Sequence, residues 1–258
     1  MATSYEVNID MSKETVDDLG DNGYVLYGFK AVRCTLPGAP LVWFQTTSYG
    51  TETELTWDES YEAYTSTSDI VPGGRIKATN SYETDLGQTL NVTGTRGTGW
   101  VDSQNGTPGA ISILNSTQTK FTCGISQTQP DGGVTPMCAF PLFGGNLDVI
   151  APIERILLMF STLPVNTGTV IYQAYSPGLL IDLTGQNIRD VSYDINAGWN
   201  WDGGAWGRQV SPQERLVPLL IESSAQLSQK APVALPGGVS KARAARGELV
   251  VGAPNGAR

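Results

Sequence analysis

Carboxylates and aromatic rings are the residues of this sequence best suited to chemistry, because it contains no histidine. That absence removes Ser-His-Asp and Cys-His nucleophile arrangements, and with them the commonest ligand of catalytic zinc and copper. Three cysteines cannot complete a four-thiolate zinc site. Any catalysis is left to carboxylates, Tyr, Lys, Arg or backbone groups. One segment gathers Glu52, Glu54, Asp58, Glu59 and Glu62 around Trp57, Tyr61 and Tyr64. Carboxylates beside exposed rings grip sugars: the ring stacks and the acids accept hydroxyl hydrogen bonds. Paired acids can also run glycoside hydrolysis, with Glu52, Glu54, Asp58 and Glu154 as conceivable acids or bases. Oxygen ligands could hold calcium, although no EF-hand spacing is present. A solvated strand face and turn is the plainer alternative.

A second segment, Gly198 to Arg208, holds Trp199, Trp201, Asp202 and Trp206, so three of the six tryptophans fall within it. Glycines interrupt it, which suits a loop or hairpin tip. Displayed indoles there would serve sugar stacking or contact with a membrane interface. The competing reading makes them a cap on an open end of the core.

Cys123 and Cys138 flank a Gly/Pro-rich loop that a disulfide could close. Two buried reduced thiols are the favoured alternative, since no secretory signal opens the sequence. Cys34 is left over either way. Asn91-Val92-Thr93 and Asn115-Ser116-Thr117 match the glycosylation acceptor pattern, which occurs often by chance. No glycine pair has the strand–loop–helix setting of a phosphate cradle. No metal or cofactor is expected.

The elements that must position these groups read as strands. Charged residues are only 16% of the 258, while glycine numbers 30, a composition suited to short strands and turns. Thr51–Trp57 alternates with a period of two, so it reads as a half-buried strand. Other expected strands include Tyr24–Arg33, Arg75–Asn80, Thr89–Thr93, Ala110–Asn115, Lys120–Ser126 and Met137–Phe143. Ile153–Thr162, Val170–Ser176, Leu179–Leu183 and Arg189–Ile195 look central. Ile156–Phe160 lacks alternation, which suits burial on both faces. Leu216–Ile221 reads as a last edge strand. The whole is expected to be all-β: an antiparallel sandwich or barrel-like domain of about 11 or more short strands. A polar arm over 1–20 precedes the domain at 21–222. A disordered basic tail over 223–258 follows it.

The net charge of −9 is uneven. Residues 1–222 carry 11 Lys and Arg against 24 Asp and Glu, and residues 223–258 carry 5 against 1. An acidic body makes nucleic acid a poor general partner. No apolar run is long enough for a transmembrane helix, although peripheral membrane contact stays open. A cytoplasmic location follows by default. In composition the chain is similar to cytoplasmic lectins and to β-sandwich toxins that bind membrane lipids, without a motif that matches residue by residue. A non-enzymatic, lectin-like carbohydrate-binding protein ranks first. A carboxylate enzyme of the glycosidase or cyclase type, a self-assembling homo-oligomeric subunit and a pore-forming protein follow.

Overall fold

The computed structural model describes residues 3–223, and they are mostly β, as composition and periodicity suggest. The chain opens with β1 (Ser4–Asp10), α1 (Lys13–Asp21), β2 (Val25–Cys34), β3 (Ala39–Pro40) and β4 (Phe44–Thr46). Then come β5 (Glu52–Asp58), β6 (Tyr61–Ser66), β7 (Asn80–Glu83), β8 (Thr89–Val92), β9 (Gly99–Asp102) and β10 (Ile111–Asn115). β11 (Phe121–Thr128), β12 (Val134–Pro136), β13 (Cys138–Leu142), β14 (Leu147–Ser161) and β15 (Gly178–Asp182) follow. The last described elements are β16 (Ile188–Asp194), β17 (Gly198–Asn200), β18 (Gly207–Val210), α2 (Val217–Leu220) and β19 (Ile221–Ser223).

Three sheets result. The first runs β17-β16-β1-β5, the third β3-β13-β11-β6-β7 with β12 on β11. The second runs β18-β15-β14-β10-β8-β9, with β2 alongside β14 and carrying β4 and β19. Pairing is antiparallel except at β1–β16, β10–β8 and β19–β2. The main core joins all three: Val7, Ile9 and Leu55 from the first sheet, Leu26, Val32 and Leu158 from the second, Ile125 and Phe140 from the third. A second core lies on the other face of β2 and β14, where Phe29, Leu157 and Met159 meet Leu219 and Leu220 of α2. Both faces of Ile156–Phe160 are therefore covered, which explains its unbroken apolar run.

Several segments differ from expectation. Residues 4–10 form an interior strand of the first sheet, because Tyr5, Val7 and Ile9 alternate with Glu6 and Asn8 and supply a buried face. Ser12 then caps α1 by accepting the Thr15 N–H. Leu216–Ile221 splits into the short α2 and β19. Pro218 sits in the first turn of that helix, where its missing N–H costs nothing. Arg75–Asn80 and Val170–Ser176 contribute isolated bridges, Arg75 to Thr169 and Leu41 to Val170, rather than full strands. The basic tail lies outside the described residues from position 224 on. No described helix is long and apolar enough to cross a membrane.

Candidate functional site

Side chains alternate along β2, so Leu26, Gly28, Lys30, Val32 and Cys34 share the face that meets the main core. Lys30 thus places an amine inside the protein, with 4% of the residue exposed. Its Nζ lies 4.2 Å from the Trp57 ring, 5.1 Å from Trp43 and 5.9 Å from Tyr5. Tyr5 and Trp57 face each other across β1 and β5, stacked at 5.8 Å. Trp43 stands edge-on to Trp57, and its Nε1 donates to the Gln127 carbonyl at 3.2 Å. Gly28 lets Phe44 lie over β2 and back Trp43. A Cβ there would stand 2.0 Å from the Phe44 ring.

Two glutamates complete the cluster. Glu59 follows β5, and its Oε1 accepts the Tyr5 hydroxyl at 3.1 Å. Glu154 acts on the same phenol and belongs to a bulge in β14. Ile153 pairs with Ala31 and Ile156 with Lys30, so Glu154 and Arg155 are the extra residues between them. Such bulges bend a strand and re-aim its side chains, often beside functional sites. Arg155 bonds Asp182 and Glu222, while the Glu154 charge acts on the amine and phenol of the cluster. Burial drives the Lys30 amine down to about 7, against the pull of Glu59 and Glu154. Burial and the same two carboxylates push the Tyr5 and Tyr61 phenols up. Tyr61, Glu59 and Glu154 are half-buried and form the rim. The arrangement offers two acceptors, a phenol and an amine at the edge of an aromatic interior.

The acid–aromatic segment named from sequence divides around this cluster. Trp57 belongs to it as a buried ring and Tyr61 as part of the rim. Tyr64 is fully buried elsewhere, donating to the Cys138 carbonyl at 2.7 Å. Glu52, Glu54 and Asp58 point to solvent on the outer face of the first sheet, with Glu6 and Asp10. Glu154, far away in sequence, is the carboxylate brought to the site.

The tryptophan-rich segment is used mostly as packing. Trp199 is 4% exposed, stacked on Phe160 at 5.6 Å and against Tyr193 at 4.9 Å. Trp201 and Trp206 are half-buried against the same core. The glycines let the indoles fold onto their own backbone: a Cβ at Gly207 would stand 2.3 Å from Trp201, and one at Gly204 2.3 Å from Trp206. The Trp201 Nε1 donates to Gly204 and the Arg189 guanidinium covers Trp206 at 4.7 Å. Asp202 is exposed at the turn with φ of 55°.

The three cysteines are free and buried, and all converge on Asp148. Cys34 Sγ donates to Asp148 Oδ1 at 2.9 Å, as does the Thr35 hydroxyl at 2.9 Å, and Cys123 Sγ lies 3.6 Å from Oδ2. Among the described residues no group of three or more Cys, Asp or Glu is placed to hold a metal ion. Burial raises the thiols, so they are poor nucleophiles. Burial also raises the Asp148 carboxyl despite its hydrogen bonds. A folded-state value above the unfolded one means that its stabilisation is full at low pH and is lost as pH rises through the folded value. Asp148→Asn is therefore expected to gain about 1–3 kcal/mol at pH 7 and nothing at pH 3, read by denaturant unfolding at both. An equal loss at both pH values would contradict this.

No protein-family model matches the chain, and neither a curated protein nor a solved structure is detectably similar to it. Lys30, Tyr5 and Asp148 are cluster residues that the sequence does not single out, whereas Glu59 belongs to the acidic segment it does. For Lys30 the signal was present: a lysine at the core-facing parity of an aromatic, β-branched strand.

Proposed function

We propose that the protein is a non-enzymatic carbohydrate-binding protein, lectin-like in action, whose sugar lies over the rim formed by Glu59, Tyr61 and Glu154, with the buried Tyr5 ring beneath it. The Tyr5 phenol held by Glu59 beside Glu154 carries this reading. Two adjacent carboxylates accept vicinal hydroxyl hydrogens, and the half-buried Tyr61 ring gives a sugar face something to lie on. Among the described residues the rim is formed by carboxylates and a phenol, so a neutral glycan suits it better than an anionic one.

Glycan-array binding followed by calorimetry tests the proposal. Glu59→Gln and Glu154→Gln are each expected to weaken a neutral oligosaccharide about 10–100-fold, the cost of losing one charge-assisted hydrogen bond. Glu52→Gln, on the outer sheet face, should leave affinity unchanged. Failure to bind any glycan, or equal affinity in all variants, would remove the reading. The paired carboxylates also favour a second reading, a glycoside-cleaving enzyme. Release of reducing ends from bound oligosaccharide would establish it in place of simple binding.

A further inference from the structure

A sugar-binding rim has no use for the amine beneath it. A buried ammonium is costly, and an apolar side chain in the same space would commonly be as stable or more so. Lys30 is instead surrounded by the groups that imine chemistry employs. Three rings stand within 5.9 Å of its Nζ, two carboxylates and a phenol adjoin it, and the Trp57 Nε1–H is buried with no hydrogen-bond partner. Trp57 is itself 4% exposed, so that donor is buried and has no protein partner.

We propose that Lys30 is a covalent capture site for small, uncharged aldehydes or ketones that enter between Glu59, Tyr61 and Glu154. The Nζ lone pair attacks the carbonyl carbon, forming the C–N bond as the C=O π pair moves to oxygen. That oxygen takes a proton and the nitrogen gives one up, leaving a neutral carbinolamine. Glu59 or Glu154 relays the proton. The second nitrogen-bound proton and the hydroxyl then leave as water, and the C=N bond forms. One carbonyl and one amine give one imine and one water, with no change of oxidation state. The unpartnered Trp57 N–H is a donor for the carbonyl oxygen. The rings that face Nζ would stabilise the iminium by the same cation–π attraction. Glu59 and Glu154 at the entrance repel carboxylated carbonyl compounds. A neutral amine near pH 7 meets the requirement for attack, which a solvated lysine does not. Capture at Lys30 does not depend on sugar binding, and an oligosaccharide on the rim would close the entrance.

The test treats the full chain at pH 7 with propionaldehyde and cyanoborohydride, which reduces imines in place, and maps the alkylated lysines by mass spectrometry over time. Lys30 is expected to react at least about tenfold faster than Lys13, Lys77 and Lys120. Pyruvate in place of propionaldehyde should leave Lys30 unlabelled. Trp57→Phe should slow Lys30 about tenfold without changing the other three. Lys30 that reacts only after denaturation overturns the proposal, and labelling by pyruvate as fast as by propionaldehyde overturns the assigned class. Neither outcome bears on glycan affinity, which is read separately.

Discussion

Lys30→Met is expected to be more stable than the parent protein at pH 6, by about 1–4 kcal/mol, with the gap closing toward pH 10. In the folded protein burial holds the Lys30 amine at about 7, against 10.5 in its ordinary setting. The unfolded chain therefore keeps a proton that the folded chain loses between those values, so parental stability rises with pH across that window. A shift of this size sets a ceiling of about 5 kcal/mol on the pH-dependent penalty. Contacts of the ammonium with Trp57, Trp43 and Tyr5 are lost in the variant, so the net gain is smaller. Methionine fills the space of the lysine stem without a charge. Chemical unfolding of both proteins at pH 6, 8 and 10 checks it. A variant that is several kcal/mol less stable at every pH would mean that the ammonium is a net source of stability.

Trp199→Ala is expected to lose about 3–5 kcal/mol, the cost of emptying an aromatic site in a packed core. Its ring packs against both Phe160 and Tyr193 and is nearly free of solvent. Trp199→Phe separates ring packing from the indole N–H. The Nε1 of Trp199 is buried without a partner, so phenylalanine keeps most of the stacking and removes an unsatisfied donor. That variant should stay within about 1 kcal/mol of the parent. A display role for this indole would give the opposite pattern, with both substitutions near neutral for stability and both harmful to ligand binding.

Strand periodicity was legible in the sequence wherever one face met solvent. Glu52–Asp58 alternates fully between exposed and buried, as its Thr/Leu/Trp against Glu/Thr pattern requires. Periodicity is less legible over 1–20, where acidic and polar residues surround the alternation of Tyr5, Val7 and Ile9. Clustering in sequence was a poor guide to clustering in space. Trp199, Trp201 and Trp206 look like a displayed patch because glycines surround them, yet Gly204 and Gly207 are the surfaces on which two of the indoles rest. The candidate cluster draws on β1, β2, β5 with its following turn, and the β14 bulge. The bulge between Ile153 and Ile156 turns Glu154 towards the Lys30 cluster, and that bulge is a property of the folded sheet. The convergence of Cys34, Cys123 and Cys138 on Asp148 is hidden for the same reason.

Chemical-shift mapping on isotope-labelled protein tests the central claim most directly, by titrating in a neutral oligosaccharide selected from a glycan array. Saturable shifts confined to Tyr5, Lys30, Glu59, Tyr61 and Glu154 are the result expected of a site at the carboxylate rim. Shifts centred on Trp201, Asp202 and Trp206, or on the Glu52 and Glu54 face, with the Lys30 cluster unmoved, would contradict it.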